Sequence, residues 1–201
     1  IWFKSYNIVL LKKACDLWET VGKTPIYQLT EISKLYSSNI FIKLESNNPT
    51  GSIKDRGGMF NILQRVLNNE ITNDSILLEA SSGNMASAVA YFGRRLGLKV
   101  KVVCSTKLTS DKALFIKSLG AELEYKGNLT IEGNKYCAEK SKNNDKYVFL
   151  DQLHTFNNPM GSFCTLGPEI IKQLPSVDII IASVGSGGSL LGLSLFLKPI
   201  L

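Results

Sequence analysis

The 201-residue sequence is poor in the residues that build metal sites. It has one histidine, His154, and four cysteines that are widely spaced and form no pair with the spacing of metal ligands. Dispersed cysteines of this kind are typical of a reduced, intracellular protein. We therefore expect a cytoplasmic chain without a metal site.

The sequence also lacks the charge pattern of a nucleic-acid-binding protein. Its 23 basic and 17 acidic residues give a net charge of +6, but the basic residues are dispersed, with no aromatic residues interleaved among them. A surface of solvated lysines explains this charge, with at most a modest attraction for small anions. We expect a small-molecule substrate and no nucleic-acid partner.

No apolar run is both long and continuous enough to predict a membrane span. The longest uncharged stretch, residues 179–197, contains a run of glycine and serine at 185–189, which predicts a turn between a strand and a helix. The apolar run at residues 8–11 is too short for the core of a signal peptide. With 44% hydrophobic residues, the chain can instead bury a globular core.

Strand-like and helix-like segments alternate from residue 39 onward. The predicted strands are residues 40–44, 76–78, 100–104, 122–125, 147–150 and 177–184. The predicted helices are residues 57–67, 84–96, 110–119, 131–142 and 169–174. This alternation predicts an α/β fold of three αβα layers around a mostly parallel sheet, and ligand sites in such sheets form where strand carboxyl ends lead into helices.

Three turns rich in glycine, serine or asparagine occupy such positions, and the first contains Lys54. In residues 48–56, of sequence NPTGSIKDR, Ser52 is a plausible N-cap and Lys54 falls in the first turn of the next helix. A helix N-terminus carries a partial positive charge and disfavours a cation, so a lysine there is a candidate for a neutral or covalently engaged amine. Considered alone, Lys54 would be an ordinary solvated lysine.

The other two turns are candidate anion sites. Residues 185–189, of sequence GSGGS, can direct successive backbone N–H groups at a phosphate, and the following helix adds its dipole. Residues 81–84, of sequence SSGN, place hydroxyl and amide groups at another helix start, which suits a carboxylate or a phenolic oxygen. Taken singly, a flexible connection and an ordinary N-cap account for these two turns at least as well.

Together, four ordered segments closely resemble the cysteine synthase and cystathionine β-synthase family of pyridoxal-phosphate enzymes. They are residues 48–56, 81–84, 165–170 (TLGPEI) and 184–189 (VGSGGS). The resemblance extends from residues 19–25 to Gly192. It implies the two-domain fold of the tryptophan synthase β-subunit, with mostly parallel sheets.

The resemblance also implies a division into domains. Residues 1–155 would form the N-terminal part, with a small substrate-loop domain, and the residues before position 50 or so would contribute to the larger domain. Residues 156–201 would begin the larger, cofactor-binding domain, which would be incomplete. Because the chain begins at Ile1 and stops at Leu201, shortly after a glycine-rich turn, we expect a C-terminally truncated member of the family.

By the same resemblance, the cofactor is pyridoxal 5'-phosphate and each turn has a role. Lys54 would form a Schiff base with the cofactor and then act as the base at the substrate α-carbon. Asn84 would hydrogen-bond the ring oxygen of the cofactor. The phosphate-binding residues would be Gly185, Ser186, Gly187, Gly188 and Ser189. The residues that receive the substrate carboxylate would be Ser81, Ser82, Asn84, Met85 and Gln152.

The implied reaction is β-elimination or β-replacement on an activated L-serine, such as O-acetylserine or O-phosphoserine, with sulfide or another small nucleophile as acceptor. We expect a homodimer. Two alternatives stay open: a serine/threonine dehydratase-like deaminase of the same fold, and a catalytically silent remnant. Met85 and Ala86 stand where many cysteine synthases have threonine and glycine, which weakens the inherited substrate preference. We interpret His154 as a polar loop residue, and Cys104 and Cys164 as packing residues.

Overall fold

The computed structural model describes residues 7–174 and 176–198, which form helices and two β-sheets in an α/β arrangement. The smaller sheet pairs strands β1 (Ile26–Gln28) and β2 (Phe41–Lys43) in antiparallel orientation. The larger sheet is built from β3 (Ile76–Ala80), β4 (Lys99–Cys104), β5 (Glu122–Tyr125) and β6 (Tyr147–Phe149). Its strands are parallel and lie in the order β5-β4-β3-β6, so the predicted parallel sheet is confirmed.

The helices of the described residues follow the predicted ones closely and add three more. They are α1 (Ile8–Trp18), α2 (Thr30–Tyr36), α3 (Lys54–Leu67), α4 (Asn84–Leu96), α5 (Ser110–Ser118), α6 (Thr130–Asn143), α7 (Asn157–Cys164), α8 (Leu166–Gln173) and α9 (Gly188–Leu197). A short 3-10 helix spans Glu45–Asn47. The sequence predicted α3 to α6, α8 and the helix that follows the glycine-rich turn, which is α9, but it predicted no helix at α1, α2 or α7.

The parallel sheet is buried on both faces because its central strands are apolar on both sides. On β3, Leu77 belongs to a core cluster that includes Met59 of α3 and Val89 of α4. The next residue, Leu78, points the opposite way and packs with Cys137 of α6. Helices therefore cover both faces of this sheet, which confirms the predicted αβα layering.

The strand predicted at residues 177–184 is not present, and this prediction was wrong. Residues 176–187 contain no strand, and the side chains of Ile179 and Ile181 are 79% and 94% exposed. A strand depends on hydrogen bonds to a neighbouring strand, and no strand of the described part of the chain pairs with this segment. Its apolar sequence therefore has strand propensity, but the segment has no neighbouring strand to pair with among the described residues.

The elements that position the candidate site meet at the carboxyl end of β6 and at the starts of α3 and α9. Helix α7 packs against both α3 and α9, and a separate apolar cluster with Leu166 and Leu193 joins α8 to α9. Over residues 7–174 and 176–198, no helix is both long and apolar enough to traverse a bilayer. The same residues contain no cluster of three or more histidine, cysteine or acidic side chains that could hold a metal ion.

Candidate active site

Lys54 is the first residue of α3, and its side chain reaches the glycine-rich turn at the start of α9. Its Nζ donates a hydrogen bond to Ser186 Oγ at 3.3 Å. Burial lowers the pKa of the Lys54 ammonium group below its usual value, because desolvation disfavours the charged form. The N-cap of α3 is Ile53 and not the predicted Ser52, but the Ser52 hydroxyl accepts from the Lys54 backbone N–H at 3.1 Å. The structure thus brings together the first and third of the predicted turns.

A clasp between Thr50 and Asp55 closes the turn that precedes Lys54. The fully buried Asp55 carboxylate accepts from the Thr50 backbone N–H at 2.6 Å and also from the Thr50 hydroxyl. Burial raises the pKa of Asp55 to about 6, although these hydrogen bonds act in the opposite direction. Gly51 has φ +83° within the clasp, a left-handed conformation that favours glycine. Sequence reasoning missed the clasp; the spacing of Thr50 and Asp55 was its only signal.

Arg56, the next residue after Asp55, anchors the start of α3 through a buried ionic network. Its guanidinium is fully buried and donates two hydrogen bonds to Glu45, both at 2.7 Å. It donates two more to Glu169 of α8, at 2.8 and 2.9 Å. Burial alone would raise the pKa of Glu169, but hydrogen bonds from Arg56 and Lys43 outweigh it and lower this pKa to about 2. Two forked pairs therefore tie α3 to α8 and to the 3-10 helix.

The turn at residues 185–189 has the open backbone that an anion cradle needs. Gly187 is left-handed, with φ +79°, and caps the start of α9. A Cβ atom added at Gly185 or Gly187 would meet no atom within 4 Å, so the space in front of this helix N-terminus is free. Phosphate groups bind in this kind of setting, because backbone N–H groups and the helix dipole both favour negative charge. The turn therefore fits the phosphate of pyridoxal phosphate.

Asn158, in the first turn of α7, links this turn to Gln152, and sequence reasoning missed it. Its Nδ2 donates to the Gln152 backbone carbonyl at 2.8 Å and to Ser186 Oγ at 3.2 Å. Gln152, Asn158, Ser186 and the exposed His154 all line a cavity of about 170 Å³. The sequence treated Asn158 only as part of an Asn-Asn-Pro turn, so nothing local marked its role.

The turn at residues 81–84 leads into α4, whose N-cap is Gly83, and it makes no hydrogen bond to Lys54, Ser186 or Gln152 among the described residues. Ser81 Oγ accepts from the Gly83 N–H at 3.3 Å, and Ser82 Oγ accepts from the N–H of a residue that follows β4 at 3.4 Å. Asn84 starts α4 with an exposed side chain. A Cβ at Gly83 would meet nothing within 4 Å, so this helix start is also open.

Met85 packs in the core, and His154, although it lines the cavity, contacts the carboxylate of Asp151. Met85 is 4% exposed and belongs to the core, with its sulfur against Gly58 of α3, so its side chain cannot replace a threonine hydroxyl. His154 Nδ1 lies 2.8 and 3.1 Å from the two oxygens of Asp151. Asp151 itself has φ +49°, an uncommon left-handed conformation for a residue with a side chain, at the turn that presents Gln152.

Comparison with known proteins places this geometry in a family. The profile described as "Pyridoxal-phosphate dependent enzyme" matches residues 17–200. Cysteine synthase B of Escherichia coli (strain K12) is 30% identical over 187 residues, which cover 90% of this chain and 61% of that protein. A cysteine synthase of Buchnera aphidicola is 34% identical over 185 residues, which cover 90% of this chain and 58% of that protein.

A solved structure has the same fold. The O-acetylserine dependent cystathionine β-synthase from Helicobacter pylori superposes with a TM-score of 0.81 at 26% identity, covering 99% of this chain and 63% of that one. The chain thus spans about 60% of the length of the relatives that it matches. The match confirms the predicted fold class and the predicted cofactor family. The chain belongs to the family of pyridoxal-phosphate-dependent enzymes, as its four ordered motifs predicted.

Proposed function

We propose that the protein catalyses β-elimination or β-replacement on an activated L-serine, with Lys54 as its central catalytic residue. The observation that carries this proposal is the contact between Lys54 Nζ and Ser186 Oγ, 3.3 Å apart. It sets a partly desolvated amine beside an open, glycine-rich helix N-terminus. Few lysines in a globular protein have such surroundings, because most are fully solvated.

Bound pyridoxal phosphate would supply an electron sink for negative charge at the substrate α-carbon. The turn at residues 185–189 would hold its phosphate through backbone N–H groups, with the Ser186 and Ser189 hydroxyls as further donors. Asn84 would donate to the ring oxygen. Lys54 would hold the cofactor and remove the proton from the substrate α-carbon, a task favoured by the lowered pKa of its amine.

The substrate carboxylate would be received by Gln152 together with Ser81, Ser82, Asn84 and the backbone N–H of Met85. The two turns that carry these groups lie in the connections that follow β3 and β6, neighbouring strands of one parallel sheet. Carboxyl ends of parallel strands share an edge, which supports a common ligand for the two turns. We also propose the predicted domain boundary near residue 155.

The finer identity of the substrate rests on the relatives. Those compared above are named cysteine synthase or O-acetylserine dependent cystathionine β-synthase, and we propose O-acetylserine or O-phosphoserine as donor with sulfide or another small nucleophile. A cytoplasmic homodimer belongs to the same proposal. A dehydratase-like deaminase and a silent remnant are the competing outcomes.

The role of Lys54 can be tested by trapping. The protein is incubated with pyridoxal phosphate, reduced with borohydride and digested, and mass spectrometry locates the labelled lysine. We expect label on Lys54, a yellow protein before reduction, and loss of both in Lys54→Ala but not in Lys117→Ala, a change on the exposed side of α5. Label on other lysines alone, or no label, would refute the assignment.

The reaction class needs a second assay. With O-acetylserine and sulfide, we expect cysteine to form faster than pyruvate or ammonia. Dominant release of pyruvate and ammonia without an added nucleophile would instead identify a deaminase. A protein that binds the cofactor at Lys54 but turns over neither substrate would be the silent remnant.

A further inference from the structure

The amide of Asn158 occupies a buried position where three parts of the candidate site meet. The residue is 5% exposed, and both hydrogen bonds of its Nδ2 go to residues of that site, the Gln152 carbonyl and the Ser186 hydroxyl. Its backbone N–H also approaches the Thr155 carbonyl, at 3.4 Å. Asn158 thus contacts the loop after β6 through its side-chain amide and its backbone N–H, and the turn before α9 through its side-chain amide.

Two glycines make room for this amide. A Cβ atom added at Gly188 would lie 2.5 Å from Asn158 Nδ2, and one added at Gly57 would collide with Asn158 Oδ1. Real Cβ atoms do not approach other heavy atoms so closely, so any side chain at either position would displace the amide. The starts of α3 and α9 therefore close around Asn158, at positions where only glycine fits.

The resulting contacts form a continuous series from the amine to the loop after β6. Lys54 donates to Ser186, Asn158 donates to the same hydroxyl oxygen, and Asn158 also donates to Gln152. Only a primary amide supplies two donors from one nitrogen at this reach, since an aspartate of equal size has none. A buried donor or acceptor that loses its partner costs about 1–3 kcal/mol, so the arrangement is energetically specified.

We propose that Asn158 is a positioning residue that fixes Ser186 and the Gln152 turn relative to Lys54. This inference rests on the proposed function, because it joins the phosphate turn to the turn assigned to the substrate carboxylate. Asn158 itself would touch neither ligand. Its effect would be to hold both binding turns in one geometry, so that its loss weakens two kinds of ligand together.

Two substitutions at Asn158 test this role. In Asn158→Asp, the shape is kept and both donors are lost; in Asn158→Ala, the amide is removed without adding charge. The matched control is Asn134→Asp, another buried asparagine, whose Nδ2 donates to the Thr130 carbonyl within α6. We expect the dissociation constant for pyridoxal phosphate, from absorbance titration, to rise about tenfold in both Asn158 variants and to stay unchanged in the control.

A second readout separates positioning from general stability. In cofactor-loaded protein, the dissociation constant for L-alanine, an amino-acid probe without a β-leaving group, should rise about tenfold as well, while borohydride still attaches the cofactor to Lys54. Wild-type affinity for both ligands in either folded variant would overturn the inference. If the wild-type protein itself failed to bind pyridoxal phosphate at Lys54, the proposed function would fall instead.

A measurement on the wild-type protein keeps the test independent of how the variants fold. Pyridoxal phosphate is added and amide hydrogen exchange is followed by mass spectrometry. We expect slower exchange in residues 185–191 and, through Asn158, in residues 151–158 also. Protection that stays within residues 185–191 would contradict the inference, since the two turns would then respond separately.

Discussion

Glu79 provides a quantitative test of the electrostatics beside the candidate site. It lies in β3, two residues before the 81–84 turn, and is 0% exposed. Neither of its carboxyl oxygens has a hydrogen-bond partner among the described residues. Burial raises its pKa to about 8, with a further contribution from the charge of Asp151. Gln152 and Arg65 oppose this shift, but Gln152 does not complete a hydrogen bond of good geometry, so desolvation prevails.

The sign of the effect on stability follows from the two pKa values. In the unfolded chain Glu79 titrates near its ordinary value of 4.5, whereas in the folded chain its pKa is about 8. Between these values the folded state binds more protons, so the free energy of unfolding falls as the pH rises through this window. For one such group, the loss between about pH 5 and about pH 7 is roughly 2.5 kcal/mol.

The perturbation is Glu79→Gln, which keeps the shape and removes the titration. We expect the free energy of unfolding of the variant, relative to wild type, to grow by about 2.5 kcal/mol between about pH 5 and about pH 7. Urea denaturation at several pH values measures this difference, with Glu139→Gln on the exposed side of α6 as the control. A difference between Glu79→Gln and wild type that does not change with pH would refute the reasoning.

Three further predictions concern Lys54 and the residues that anchor it. Arg56→Lys would break both forked pairs and leave two carboxylates poorly matched, so we expect a loss of about 3–5 kcal/mol in the free energy of unfolding, measured by denaturation. Thr50→Val would remove one hydrogen bond to Asp55 and lower the free energy of unfolding by about 1 kcal/mol in the same assay. The control is Thr109→Val, which should lower it less, because the Thr109 side chain makes no cap hydrogen bond at the start of α5. Because burial lowers the pKa of Lys54, its acylation by a small anhydride should reach half its maximal rate at a lower pH than acylation of the exposed lysines, as mass spectrometry of the labelled peptides would show.

The helices of the α/β region could be predicted because their signals are local. Helix α4 matches its predicted bounds, since it begins at the last residue of the SSGN turn and ends before Gly97, whose left-handed backbone caps it. The three candidate ligand-binding turns also rest on local signals, because glycine and serine at a helix start are typical of loops that approach an anion closely, and their binding roles stay predictions. The wrong prediction at residues 177–184 has the opposite cause, since strand formation depends on a partner that the segment itself does not specify.

The positioning residues could not be predicted, because their partners are distant in sequence. Arg56 bonds to residues 11 and 113 positions away, and no pattern around it signals either glutamate. Asn158 contacts Ser186, 28 positions later, in a space left by Gly57 of α3 and Gly188 of α9, and neither glycine carries a local signal for this contact. Glu79 did carry a local signal, since a single acidic residue interrupts an otherwise apolar strand, but the sequence could not show that its carboxyl group lacks a partner.

The arrangement around Lys54 is better explained by function than by packing. Its side chain makes one hydrogen bond among the described residues, and burial destabilises its charged form, so the placement of this amine costs free energy. The neighbouring residues offset that cost. Asp55 closes the turn before Lys54, Arg56 anchors the start of α3, and Asn158 fixes Ser186, the serine that the amine contacts. A lysine with a purely structural role would gain more from an acidic partner, as Lys43 does with Glu169 at 2.7 Å. Rigid surroundings without a counter-charge are what a reactive amine requires, because a nearby carboxylate would keep it protonated.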